Sequence, residues 1–215
     1  VAYIFESLGG EIWLGMYEGG LSKLDQETGQ FTHYRHNPND PESLSSDAVM
    51  VITQDCTGTM WVGTGGGLNR FDPQSGKAIH YTVKDGLPND VIYGIVEDDQ
   101  GYLWLSTNAG LARFDPRTSS FQNYDARDGL QSNEFNTFAF TKTRAGEIIF
   151  AGIEGTNIFR PQAIQSNSYV PPIVLTRLTQ GGEAVKVTQT ADGRQEVTLR
   201  WPHNYFEFEF AALSY

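Results

Sequence analysis

Short runs of alternating apolar and polar residues, separated by turns rich in Gly, Asn, Asp and Pro, follow one another along most of the 215-residue chain. Within residues 101–124, three such runs occupy positions 103–107, 111–114 and 121–124. Runs of this length and alternation predict half-buried β-strands, and Asn108-Ala109-Gly110 between the first two is typical of a tight turn. The pattern therefore predicts an antiparallel sheet of short strands.

This pattern is repeated along the chain. Trp13, Trp61 and Trp104 each begin a similar segment in which a Gly-Leu pair and an acidic turn follow, and Phe150 takes the tryptophan position in a degenerate fourth copy. Successive copies are 43 to 48 residues apart. A repeat of this length, with several short strands in each unit, is typical of a β-propeller blade.

An apolar segment precedes each repeated tryptophan. Residues 90–98 align with residues 47–55, and Ile4-Phe5-Glu6 aligns with Ile95-Val96-Glu97. A continuous apolar run between polar turns is typical of a strand that is buried on both faces. We therefore expect four strands in each unit, A to D from the propeller axis outwards, with this segment as the innermost strand.

Residues 58–98 resemble the two-component regulator propeller repeat. The matching residues are Trp61, Gly67-Leu68, Arg70-Phe71-Asp72 and Asp85-Gly86-Leu87-Pro88-Asn89. The fourth copy is similar to the last blade of that family, although it lacks the tryptophan, and Ser106 replaces a usual glycine in the third. Residues 170–215 resemble the start of the Y_Y_Y domain that follows such propellers.

The fold implied by this resemblance is all-β. We expect residues 1–167 to form three regular propeller blades and one divergent last blade, which is about four blades of a ring of about seven. Residues 168–215 are expected to form the first strands of a truncated, Y_Y_Y-like immunoglobulin sandwich. An incomplete ring exposes a blade face, so the missing blades or a second chain, as in a homodimer, are expected to cover it.

Composition excludes several partners. The net charge of −11 argues against nucleic acid, which needs clustered Lys and Arg, and against anionic membrane surfaces. A single cysteine, Cys56, permits no intrachain disulfide. No apolar run approaches the roughly 18 residues of a membrane-spanning helix, so membrane attachment is expected only through a longer parent protein.

No pattern of residues predicts a catalytic centre, a metal site or a cofactor. The four histidines are His33, His36, His80 and His203. They fall on predicted outer strands, linkers and turns, and no nucleophile lies in a recognisable local setting. The acidic turns at Asp55 and Asp98 have too few ligands for calcium and are explained as tight turns. The tryptophans could stack on sugar rings, but a position repeated in every blade favours packing between blades.

A ligand is expected at one end of the ring. In a propeller, the linkers from strand D to the next strand A and the turns between strands B and C share one face beside the axial opening, and concave sites with convergent polar groups are the usual binding sites. Asn133, Glu134 and Asn136 are the first candidates because they break the repeat pattern. The other candidates on this face are Tyr17, Glu18, Asn89, Asn108 and Arg127.

The resemblance implies a sensor. It suggests the periplasmic or extracytoplasmic part of an inner-membrane hybrid two-component histidine kinase, or of a related signalling protein. Such a domain would detect an oligosaccharide or another small molecule and relay the signal to a cytoplasmic output domain. This segment would then have no catalytic activity, although its parent could be a kinase or cyclase. Two alternatives are an enzyme of the propeller lyase type and a protein-interaction scaffold.

Overall fold

In residues 1–164, the alternating runs form antiparallel sheets that follow one another along the chain, each with its strands paired in sequence order. Blade I contains β1 (Tyr3–Glu6), β2 (Ile12–Met16), β3 (Gly20–Leu24) and β4 (Phe31–Tyr34). Blade II contains β5 (Val49–Gln54), β6 (Met60–Thr64), β7 (Gly67–Asp72) and β8 (Lys77–Tyr81). Blade III contains β9 (Gly94–Glu97), β10 (Leu103–Thr107), β11 (Gly110–Asp115) and β12 (Ser120–Tyr124). These three sheets confirm the predicted all-β fold of four-stranded blades.

Blade IV is the divergent copy. It contains β13 (Phe135–Lys142), β14 (Ile148–Gly152) and β15 (Gly155–Phe159), and its sheet has three strands within the described residues. Short 3₁₀ turns at Val83–Asp85 and Ala126–Asp128 connect blades II to III and III to IV, and a third, Pro161–Ala163, follows β15.

The computed structural model describes residues 1–164, 173–185, 187–189, 195–199, 201–202 and 205–212. The chain divides into two compact units, Val1–Ile164 and Gln165–Tyr215. The expected boundary at residues 167 and 168 lies outside the described residues, as does His203.

In the second unit, β16 (Ile173–Gln180) pairs with β17 (Glu183–Ala184) and β20 (Phe206–Ala212), and β18 (Val187–Gln189) pairs with β19 (Gln195–Val197). No helix among the described residues is both long and apolar enough to cross a membrane.

The core of the first unit lies between successive blades, where each tryptophan packs against an aromatic ring of the next blade. The ring centroids of Trp13 and Phe71 are 5.8 Å apart, those of Trp61 and Phe114 are 5.5 Å apart, and those of Trp104 and Phe159 are 4.8 Å apart. All three tryptophans are buried. The interpretation of the tryptophans as packing residues is therefore correct, and none of the three is available to a ligand.

The register of blade IV corrects the alignment of the fourth copy. In β10, Trp104 stands three residues before Thr107, which pairs with Gly110. In β14, the residue three positions before Gly152, which pairs with Gly155, is Ile149. Ile149 therefore occupies the tryptophan position, and Phe150 was assigned to it wrongly. Because adjacent strand residues face opposite ways, Phe150 belongs to the opposite face of the blade, and it is buried there.

Blade I has one face that no other blade covers. Ile4, Ile52 and Ile95 hold the same position on the innermost strands of blades I, II and III, opposite Leu14, Val62 and Leu105. Ile52 and Ile95 are only 0% and 3% exposed because the preceding blade packs over them, whereas Ile4 is 68% exposed. The leading face of blade I thus has the apolar character of a face between blades.

A buried aspartate supports the tryptophan in blades II and III. Asp55 and Asp98 each accept backbone N–H groups of their own turn through one carboxylate oxygen. The second oxygen accepts a hydrogen bond from the indole Nε1 of Trp61 at 2.7 Å or of Trp104 at 2.9 Å. These turns are structural, as the sequence predicted, and the pairing also satisfies two buried indole donors.

Candidate functional site

The innermost strands of the four blades follow one another in space, in chain order. β1 contacts β5, β5 contacts β9, and β9 contacts β13. The outermost strands have no such succession of contacts, because each lies at the far edge of its own sheet. The linkers that enter the innermost strands are hydrogen-bonded to the turns between the second and third strands, as Ala48 is to Gly65 and Asn133 is to Gly110. They share the end of the blades where the sequence predicted a ligand at the axial opening.

Each linker into blades III and IV is built on a 3₁₀ turn with a reciprocal cap. Thr82 and Asp85 cap the first turn, and Asp125 and Asp128 cap the second. The side chain of Arg127 is almost fully exposed and forms an ion pair with Asp125 at 2.6 Å. Hydrogen bonds from Arg127 lower the pKa of Asp125. Asp85 and Asp128 are thus turn formers, and the charge of Arg127 is already compensated by its neighbour.

Asn133 holds a repeated structural position. Its side-chain oxygen accepts a hydrogen bond from the backbone N–H of Ala126 at 2.8 Å, as the carboxylate of Asp90 does from Val83 and that of Asp47 does from His36. Asn133 had seemed to break the repeat, but an amide oxygen accepts this bond as a carboxylate does. The assignment of Asn133 to ligand binding remains a prediction, and its side-chain oxygen already accepts a hydrogen bond within the linker.

Glu134 lies beside the turn between β14 and β15. Its backbone oxygen accepts hydrogen bonds from the N–H of Ile153 and from the side chain of Gln131. Gln131 in turn accepts a hydrogen bond from the N–H of Glu154, so the linker and the turn are held together. The side chain of Glu134 is exposed, as is that of Asn136 two residues later. The structure thus places both predicted residues where the last blade meets the opening.

The remaining predicted residues lie on other parts of the same end. Tyr17 and Glu18 are exposed in the turn between β2 and β3, and Asn108 is exposed in the turn between β10 and β11. Asn89 accepts a hydrogen bond from the N–H of Val91 and so shapes the linker before β9. The backbone N–H of Gly110 donates to the oxygen of Asn133, which joins the turn that carries Asn108 to the linker of blade IV.

Sequence reasoning missed Phe138. It lies on β13, and its ring stacks on that of Tyr3 from β1, with centroids 6.1 Å apart and planes inclined by 13°. Burial raises the pKa of the Tyr3 hydroxyl, whereas Phe138 is 49% exposed. The two rings join the innermost strands of the first and last blades. An aromatic residue in an apolar strand is usually a core residue, so the sequence offered no signal for this exposed position.

Other reactive side chains are occupied by structural contacts. His33 bonds to the hydroxyl of Ser22, whereas His36 and His80 bond to backbone oxygens. Among the described residues, no group of three or more His, Cys, Asp and Glu side chains could hold a metal ion. Cys56 is exposed, and its hydrogen bond to Glu97 raises the pKa of the thiol, which disfavours the reactive thiolate.

A cleft of about 900 Å³ lies between the outer parts of blades I and II. Four of the charged side chains that line it form ion pairs with one another, Lys23 with Glu11 and Lys77 with Glu42. Size alone would favour this cleft as a binding site. Most of the charged side chains in its walls already neutralise each other, so we place the candidate site at the axial opening instead.

Comparison with known proteins supports this architecture. Residues 86–109, which run from the linker of blade III to the turn after β10, match the family model "Two component regulator propeller". This segment is thus similar to a two-component regulator propeller repeat. A comparison with curated protein sequences finds no match.

Solved structures extend the similarity to the rest of the chain. The extracellular domain of BT3049 from B. thetaiotaomicron, named as a hybrid two component system, is 25% identical with a TM-score of 0.71, over 97% of this chain and 28% of that one. The extracellular domain of BT4673 from the same organism is 21% identical with a TM-score of 0.66, over 83% of this chain and 25% of that one. PorZ of Porphyromonas gingivalis, a surface component of the type-IX secretion system, shares the fold at 13% identity and a TM-score of 0.59, over 97% of this chain and 34% of that one. This chain thus spans about a quarter to a third of each of these structures.

Proposed function

We propose that this chain is part of the extracellular ligand-sensing region of a two-component signalling protein. The observation that carries the proposal is the two-component regulator propeller repeat at residues 86–109, within blades similar along 97% of the chain to an extracellular domain of a hybrid two-component system. The similar structures of this class are extracellular domains, and a sensing role accounts for that likeness.

The ligand is proposed to be an oligosaccharide or another small molecule that binds at the axial opening. The exposed side chains there are amides, carboxylates and a tyrosine, which suit a ligand with many hydroxyl groups. The cation of Arg127 is compensated by Asp125. The bound state would be relayed through the rest of an inner-membrane parent protein to a cytoplasmic output domain.

The proposed partners include more than the ligand. The exposed leading face of blade I matches faces that are buried between blades elsewhere in the chain. Further blades of the parent protein, or a second chain in a homodimer, would cover it. Either arrangement would also complete the wall of the axial opening that blades I to IV begin.

Glu134 tests the site. In the intact protein that contains this chain, Glu134→Ala is expected to weaken the response of a reporter gene to the inducing ligand, because an exposed carboxylate beside the opening is lost. The melting temperature should change little, since the described contacts of Glu134 use its backbone. Glu27→Ala, which removes an exposed carboxylate from the turn between β3 and β4, is the matched control. Equal responses from the wild type and both variants would contradict this placement of the site.

A further inference from the structure

β13 has a larger bulge than the other innermost strands, of which β5 has a one-residue shift between Val49 and Val51. Phe135 pairs with Gly152 and Phe140 pairs with Phe150, so residues 136–139 stand opposite Ala151 alone. In blade III, β9 and β10 pair without any shift of register. Bulges redirect side chains and are found at the rims of barrels and beside functional sites.

Phe138 sits in the bulge in an unusual backbone conformation. Its φ is 61°, and Ser119 is the only other non-glycine residue with a positive φ among the described residues. A bulky side chain in the left-handed region is strained, and such strain persists only where other contacts hold it or where it has a use. The stacking on Tyr3 holds one side of the ring, yet 49% of Phe138 remains exposed. Burial in the core therefore does not account for the conformation.

We infer that Phe138, supported by Tyr3, is a platform for the apolar face of a sugar ring at the axial opening. This inference rests on the proposed function and names the part of the site that recognises the ligand. The negative face of an aromatic ring attracts the slightly positive C–H groups on one face of a sugar. Asn136 in the same bulge and Glu134 before it would bond the hydroxyl groups at the ring edge. The platform role considered for the tryptophans thus belongs to a residue outside the repeat.

The chemistry of the opening favours a saccharide over other small molecules with rings. A purely apolar ligand would leave the exposed amides and carboxylates around it without partners. An anionic ligand would meet Glu134 and Glu18, with Arg127 already paired. A neutral polyhydroxyl ring with one apolar face satisfies both the aromatic platform and its polar surroundings.

Phe138→Gly separates binding from folding. Glycine adopts a positive φ without strain, so the variant removes the ring while relaxing the backbone. We expect its melting temperature to stay close to that of the wild type, because the relaxed backbone offsets the lost stacking on Tyr3. Its dissociation constant for the bound saccharide should rise about tenfold or more, because the apolar contact face is lost. Phe31→Gly is the matched control, since Phe31 is 46% exposed on the outermost strand of blade I.

Binding is measured by isothermal titration calorimetry of the intact protein that contains this chain, with a panel of neutral and acidic oligosaccharides of two to eight units. Binding by the wild type and by Phe31→Gly, but about tenfold weaker binding by Phe138→Gly, would support the platform. Equal binding by Phe138→Gly, together with weaker binding by Glu134→Ala, would overturn the platform and leave the sensor proposal standing. Response of the intact protein to a ligand of another class, with no saccharide bound, would overturn the platform and the saccharide assignment together.

Discussion

Blade I lacks one hydrogen bond that blades II and III possess, and Ser7→Asp should restore it. Ser7 stands where Asp55 and Asp98 stand in the other turns. Its hydroxyl accepts the N–H of Glu11 at 3.1 Å, which is the bond that one carboxylate oxygen makes in the other blades. Serine has no second oxygen, and the indole Nε1 of Trp13 is buried without a hydrogen-bond partner among the described residues. An aspartate would supply the missing acceptor.

The size of the stabilisation expected for Ser7→Asp follows from the hydrogen bonds in blades II and III. A buried donor left without a partner costs about 1–3 kcal/mol, and a bond to a carboxylate is stronger than a neutral one. Burying the new carboxylate offsets part of this gain. Asp55 and Asp98 are themselves buried and fully engaged, so the site tolerates the charge. We expect a net stabilisation of about 1 kcal/mol, or roughly 2–4 °C in melting temperature for a chain of this size.

A double-mutant cycle isolates the bond. Chemical unfolding followed by tryptophan fluorescence should show the gain for Ser7→Asp in the wild type but not in the Trp13→Phe background, where no indole N–H exists. Ser7→Asn serves as a neutral control, since its amide oxygen can accept the turn N–H while its amide nitrogen cannot accept the indole proton. An equal effect of Ser7→Asp in both backgrounds, or a loss of stability in the wild type alone, would refute the reasoning.

Three further predictions concern packing, association and pH. Trp104→Ala should reduce the free energy of unfolding by about 3–5 kcal/mol, because the ring is buried between blades III and IV; a loss below about 1 kcal/mol in urea unfolding would contradict this burial. The isolated chain should associate through the leading face of blade I, and Ile4→Glu should shift its light-scattering mass towards the monomer; a monomeric wild type would count against this interface. Asp115→Asn should weaken the dependence of stability on acid pH. Hydrogen bonds from Arg117 lower the pKa of Asp115, so its stabilising contribution is present above the ordinary pKa of about 4 and is lost as the pH falls through the lower folded value. Identical acid unfolding profiles would disprove that contribution.

The sequence by itself determined the repeated part of the molecule. The recurring tryptophans and the spacing of the turns predicted four blades and the burial of Trp104, because a residue type repeated at one position meets the same environment in each blade. The acidic turns at Asp55 and Asp98 were recognisable for a similar reason, since short polar side chains bond to the backbone within a few residues. In each case, the interaction that the sequence predicted either joins residues close in sequence or recurs in successive blades.

Only the tertiary structure decided which residues depart from the repeat. A shift of one position moves a side chain to the other face of a strand, so the choice between Ile149 and Phe150 depended on the pairing of β14 with β15. Asn133 keeps a repeated role that its residue type concealed. The exposure of Phe138 depends on a bulge in the pairing with β14 and on Tyr3, far away in the sequence. Strand register and contacts between distant segments are set by packing of the whole chain, and local patterns do not encode them.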